Sequence, residues 1–121
     1  MIPRNAARLA IHRRADEMSF LQHRLRILRD EALETAPDHA RLPVIKRERD
    51  LADELLHTRH TEPLGETLQR RLVMAEHICR DLARPETDSP GQLSDAYWMA
   101  ETERQALADM LKQWWAWLHG P

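Results

Sequence analysis

The sequence predicts an all-α protein, a single-domain four-helix bundle over residues 1–121 whose first and fourth helices are long. Three observations carry this. Only three Gly interrupt long runs rich in Ala, Leu, Glu and Arg, all good helix formers. Apolar residues recur at three- and four-residue intervals in four segments. Pro and polar clusters separate those segments by short connections, as in bundles built from antiparallel neighbours.

The first helix is expected from between Pro3 and Ala6 to about Ala36, because Pro37 disfavours helix in the residue before it. Ile11, Met18, Leu25 and Ala32, with Ala7, Leu21 and Leu28, form one apolar stripe; Leu9, Phe20 and Ile27 form a second, well away from the first. Residues 37–42 make a short loop, and Pro43 can open a second helix to about Arg59. Val44, Ile45, Leu51, Ala52, Leu55 and Leu56 give that helix a broad apolar face, with Glu48 in its middle. The third helix is expected over 63–84, with Leu64, Leu68, Leu72, Ala75, Cys79 and Leu82 on one face. Ser89, Pro90 and Gln92 read as a capping box for a fourth helix that ends near Leu118. Its main face carries Leu93, Ala96, Tyr97, Ala100, Leu107, Leu111, Trp114 and Leu118, and a second stripe carries Met99, Ala106, Met110 and Trp117. Two long helices that are apolar on two sides point to homodimerisation through the first or fourth helix.

Composition excludes several function classes. No apolar run approaches the length of a membrane span, the N-terminus lacks the apolar core of a signal peptide, and the lone Cys79 cannot form an intrachain disulfide; a cytoplasmic protein is expected. Net charge is −2, with the basic residues concentrated before residue 50, and most of them are Arg. Arg4, Arg8, Arg13, Arg14, Arg24, Arg26 and Arg29 do not share one helical face, and aromatic residues do not alternate with them. RNA binding, as the small helical subunit of a ribonucleoprotein, is therefore an alternative and not the favoured reading.

No strong catalytic motif is present. Glu54 and His57 have the Glu-x-x-His spacing of bundle di-metal sites, but no second motif accompanies them, so no metal and no cofactor are expected. Arg14, Glu48 and Arg104 fall on faces that should be buried, where a charge needs a partner. Arg29 or Arg26 is within reach of Glu48 inside the chain; Arg14 reaches it only from a second copy. Arg14, Arg26, Arg29 and Glu48 thus define a candidate buried ion pair or anion site.

The stretch Pro43-Val44, then Arg47-Glu48-Arg49-Asp50-Leu51, following a long helix and a loop, resembles the all-helical chorismate mutases over about residues 8–84. The resemblance implies an active-site glutamate at Glu48, a first-helix arginine at Arg24 or Arg26, and a cross-subunit arginine near Arg8. The family's lysine would fall near residues 35–37, where none stands, and its late third-helix Gln or Glu near Arg84. A chorismate-mutase-like enzyme, or a degenerate relative, is accordingly an alternative.

The principal reading is a non-enzymatic protein that binds another protein, as an inhibitor, an adaptor or a subunit of an assembly. Large, rigid Trp and adaptable Met side chains are enriched at such interfaces. Trp98, Met99, Met110 and Trp117 are the candidate contacts, with Arg13 and Arg24 as an electrostatic complement.

Overall fold

The structure, a computed structural model, describes residues 4–58, 62–83 and 94–120, with the side chains of residues 4–11 outside that description. Four helices and no strand make up the described residues: α1 (Arg4–Glu34), α2 (Leu42–His57), α3 (Leu64–Ala83) and α4 (Asp95–His119). None of them is long and apolar enough to cross a membrane. The expected capping box at residues 89–92 lies outside the described residues. The cap of α4 is instead Ser94, whose hydroxyl accepts from the Tyr97 backbone N–H at 3.2 Å. Gly120 closes the same helix with φ of 68°, a conformation in which a Cβ would be strained.

Two antiparallel hairpins make the fold. In the first, Arg14 meets Thr58 and Arg24 meets Glu48, so α1 and α2 run in opposite directions. In the second, Gly65 lies against Trp114 and Cys79 against Glu101, which sets α3 antiparallel to α4. Helix α4 then lies over the first hairpin. Its first and middle turns meet the start of α2, where Arg47 pairs with Glu103 and Arg41 with Asp109. Its C-terminal part meets the middle of α1, where Phe20 packs against Trp114 and Trp117 with ring centroids 5.1 and 5.8 Å apart.

One core joins all four helices: Phe20, Leu21, Leu25 and Leu28 of α1; Val44, Leu51, Ala52 and Leu55 of α2; Leu64, Leu68 and Ala75 of α3; and Ala106, Leu107, Met110 and Trp114 of α4. This corrects the reading of α1 as two separate stripes. At 3.6 residues per turn, Phe20 and Leu25 are the two edges of a single buried arc about 140° wide. Glu17 and Arg24 occupy the middle of that arc, and their charge divides its apolar pattern in two. Met18, assigned to the main stripe, sits on the rim and is exposed. The second stripe of α4 is likewise internal over Ala106 and Met110, because α4 is enclosed by α3 on one side and by the first hairpin on the other.

Candidate functional site

The charges buried within the fold are paired. Glu48 is 2% exposed, and its carboxylate accepts two hydrogen bonds from Arg24, from Nε at 2.6 Å and from Nη2 at 3.0 Å. Burial raises the Glu48 pKa, and the Arg24 hydrogen bonds and charge oppose that rise without cancelling it. Burial also works against the Arg24 charge, but the hydrogen bonds and charge of Glu48 outweigh it and leave its pKa raised. The expected partners of Glu48 were Arg26 and Arg29 in the same chain and Arg14 from a second copy. Arg26 and Arg29 instead line an exposed cleft with Gln22 and Asp30. The reason is angular: Arg24 lies at the centre of the buried arc, and Arg26 projects from nearly the opposite side of the helix.

Arg14 does not approach Glu48. It donates from Nη2 to the Thr58 carbonyl at 3.3 Å, at the C-terminal end of α2, where a cation is favoured by the helix dipole. Its Nη1 also lies 3.8 Å from Oε1 of Glu17. Glu17, a residue the sequence reading passed over, is 2% exposed and accepts a 2.7 Å hydrogen bond from the Leu64 backbone N–H. A carboxylate from α1 thus satisfies an orphan donor at the start of α3. The one signal that pointed to it was its helical spacing with Phe20, Leu21, Arg24 and Leu28.

The other candidate chemistry is similarly occupied. Arg104 binds Glu101 three residues earlier, and this holds the Glu101 carboxyl well below the usual range, at about 2. Cys79 lies beside the same carboxylate at 3.6 Å; burial first and the Glu101 charge second push its thiol up, which disfavours the nucleophilic thiolate. Glu54 binds Arg71 and exposed His57 lies by Asp53, so the Glu-x-x-His spacing is taken up in surface pairs. Among the described residues no group of three or more His, Cys, Asp or Glu is arranged to hold a metal ion.

The Trp and Met candidates separate into two groups. Met110 is fully buried, which removes it from any partner surface, and Arg24 is committed to Glu48 and removed likewise. Trp117 is half-covered, packed on Phe20 and on His23, whose ring lies 5.4 Å away. Arg13 is exposed beside Glu17 at the opposite end of α4 from Trp98. Trp98 and Met99 are exposed by 56% and 74%. With Pro43, Arg47, Asp95, Thr102 and Glu103 they line an open cleft of about 640 Å³. The Trp98 ring also walls a second cleft of about 440 Å³ together with Ala40, Arg41 and Val44, and Tyr97 packs edge-on to it at 5.1 Å. An aromatic residue standing between two clefts, with paired charges at the rim, has the anatomy of an interface anchor. Comparison with protein-family models, with curated proteins and with solved structures finds no match to this chain.

Proposed function

We propose that this chain is a non-enzymatic cytoplasmic protein that works by binding another protein through the Trp98 and Met99 surface at the N-terminal half of α4. The observation that carries this reading is the exposure of two large apolar side chains beside open clefts, with Trp98 in the wall of both, on the part of α4 that precedes its buried run from Ala106 to Trp114. The partner it suits presents apolar side chains to Trp98, Met99 and Pro43, ringed by polar groups that meet Arg47, Glu103 and Asp95.

The chorismate-mutase-like alternative needs Glu48 and several arginines facing a shared wet pocket. Both carboxylate oxygens of Glu48 are taken by Arg24, and neither cleft beside Arg24 or Arg26 has Glu48 in its wall. The ribonucleoprotein alternative needs a broad surface of free arginines; Arg13, Arg14 and Arg24 are turned toward carboxylates inside the chain, which leaves Arg26 and Arg29 beside Asp30 in their exposed cleft. A homodimer is part of the proposal only through α4, because Phe20, Leu21, Leu25 and Leu28 of the α1 stripes pack within the chain. Sedimentation equilibrium of the wild type and of Trp98→Ala reads that state directly.

The test is affinity capture from the native host with wild type and a Trp98→Ala/Met99→Ser variant, followed by reconstitution with the purified partner. A hot-spot contribution of about 2 kcal/mol or more lowers affinity roughly 30-fold or more. The variant keeps its melting temperature within a few degrees, since both positions are exposed. A partner bound equally by the variant overturns the assignment, as does a chorismate-dependent activity that Glu48→Gln abolishes.

A further inference from the structure

A different cleft lies at the other end of α4. It has a volume of about 350 Å³, and its apolar walls are Pro63, Trp114, Trp115 and Leu118. Gly65, in the first turn of α3, forms part of its floor. Trp114 is only 4% exposed, yet its indole N–H makes no hydrogen bond among the described residues. A buried indole N–H normally finds an acceptor, because leaving it unmade carries a desolvation cost.

Gly65 explains why this donor stays uncovered. A Cβ at that position would lie 3.3 Å from Trp114 Nε1 and 3.5 Å from its Cδ1, so any other residue would close the N–H off from the cleft. The charged residues lining the cleft are Arg13, Glu17 and Glu66, one cation against two carboxylates. Arg13 lies 3.9 Å from Glu17, whose carboxylate also accepts from the Leu64 N–H; Glu66 is exposed at the rim. The site therefore offers one neutral donor at its base, apolar walls and no unpaired cation for an anionic ligand. Its volume matches a small molecule of one ring.

We infer that this cleft binds a small, neutral, apolar molecule carrying a carbonyl, with the Trp114 indole N–H donating to the carbonyl oxygen and Trp115 and Leu118 covering the apolar part. This site is separate from the Trp98 surface and does not depend on the protein-binding reading.

Acetophenone and ethylbenzene are matched probes: nearly the same size and shape, with and without the acceptor. The assay is titration of the ¹⁵N-labelled full chain, following the indole N–H signals, with the Trp114 signal assigned by its loss in Trp114→Phe. Acetophenone is expected to move that signal downfield and saturably, and to bind about three- to tenfold more tightly than ethylbenzene, the increment of one net hydrogen bond. Gly65→Ala, which fills the floor with a better helix former, is expected to weaken both probes at least tenfold. Leu118→Lys changes an exposed wall position without touching the core and should weaken both probes as well, so the result does not hinge on how Gly65→Ala folds. A Trp114 signal that does not saturate, equal affinity for the two probes, or unchanged binding by the Leu118→Lys protein overturns the assignment.

Discussion

Replacing Arg24 with Ala breaks the most deeply buried ion pair among the described residues. The Glu48 carboxylate is 2% exposed and loses both of its described hydrogen bonds at once. Breaking a buried pair by removing one partner costs about 3–5 kcal/mol, most of it the burden of the charge left behind. The lower end, about 3 kcal/mol, applies here, because the Arg24 side chain is 14% exposed and borders an open cleft that lets water approach the vacated space. A chain of 121 residues has an unfolding entropy near 0.25 kcal/mol per kelvin, so the melting temperature should fall by roughly 12 °C. The deficit also carries a pH signature. Burial already raises the Glu48 pKa in the folded protein, so the native state holds the proton more readily than the unfolded state. Stability from such a group is present at low pH and lost as pH rises through the folded pKa. Without Arg24 to oppose it, that pKa rises further, and the window of lost stability extends upward. Chemical denaturation at pH 7.5 and pH 5 should therefore show a deficit that shrinks in acid. Replacing both residues with Met should bring stability most of the way back, since an apolar pair leaves no charge unpaired. A deficit below about 1 kcal/mol, or one identical at both pH values, would refute the reasoning.

Three further predictions rest on single contacts. Glu17→Ala removes the acceptor of the Leu64 N–H and should cost about 2 kcal/mol by denaturant titration, with faster hydrogen exchange at the Leu64 amide specifically. Leu51→Ala, at a fully buried position of α2, should cost about 2–5 kcal/mol with no change in partner capture through Trp98. Glu101→Gln removes a carboxylate whose pKa is depressed to about 2 by Arg104, so the wild type owes it stability above the ordinary carboxylate range and loses that stability as pH falls toward 2. Solvent screening keeps the effect below about 1 kcal/mol, and acid-unfolding curves of the two proteins should converge at low pH.

The number, order and approximate limits of the helices were legible in the sequence, because apolar periodicity and Pro punctuation are local signals. Helix α2 shows this best: every residue assigned to its face is buried or partly buried, and Glu48 sits among them as expected. What was not legible is pairing, which depends on where distant segments come to lie. Arg24 was read from the residues as an electrostatic complement for a partner, and only the chorismate mutase resemblance put it, or Arg26, at a site with Glu48; its burial follows from Glu48, 24 residues away, sharing the same interface. Met110 was read as a partner contact because its stripe looked surplus to a small bundle, and the placement of α4 against the first hairpin consumes it. Trp98, read as lying off the main face, is exposed, and so is Met99, although it was assigned to the same stripe as Met110: that stripe divides between surface and core along the helix.

The middle of α1 shows why that distribution has functional weight. Within one buried arc, Glu17 binds the start of α3, Arg24 binds α2, and Phe20 packs on α4. One helix thereby contacts each of the other three through a different chemistry, and two of these contacts are directional. Directional contacts resist sliding and rotation, which apolar packing alone tolerates more easily. With α1 fixed, α4 cannot turn Trp98 inward without exposing Leu107 and Trp114, which lie on the far side of the helix, and disrupting the Arg47–Glu103 pair. The exposure of Trp98 is thus held in place by the same polar residues that split the apolar pattern of α1, which makes its surface the place to look for a partner.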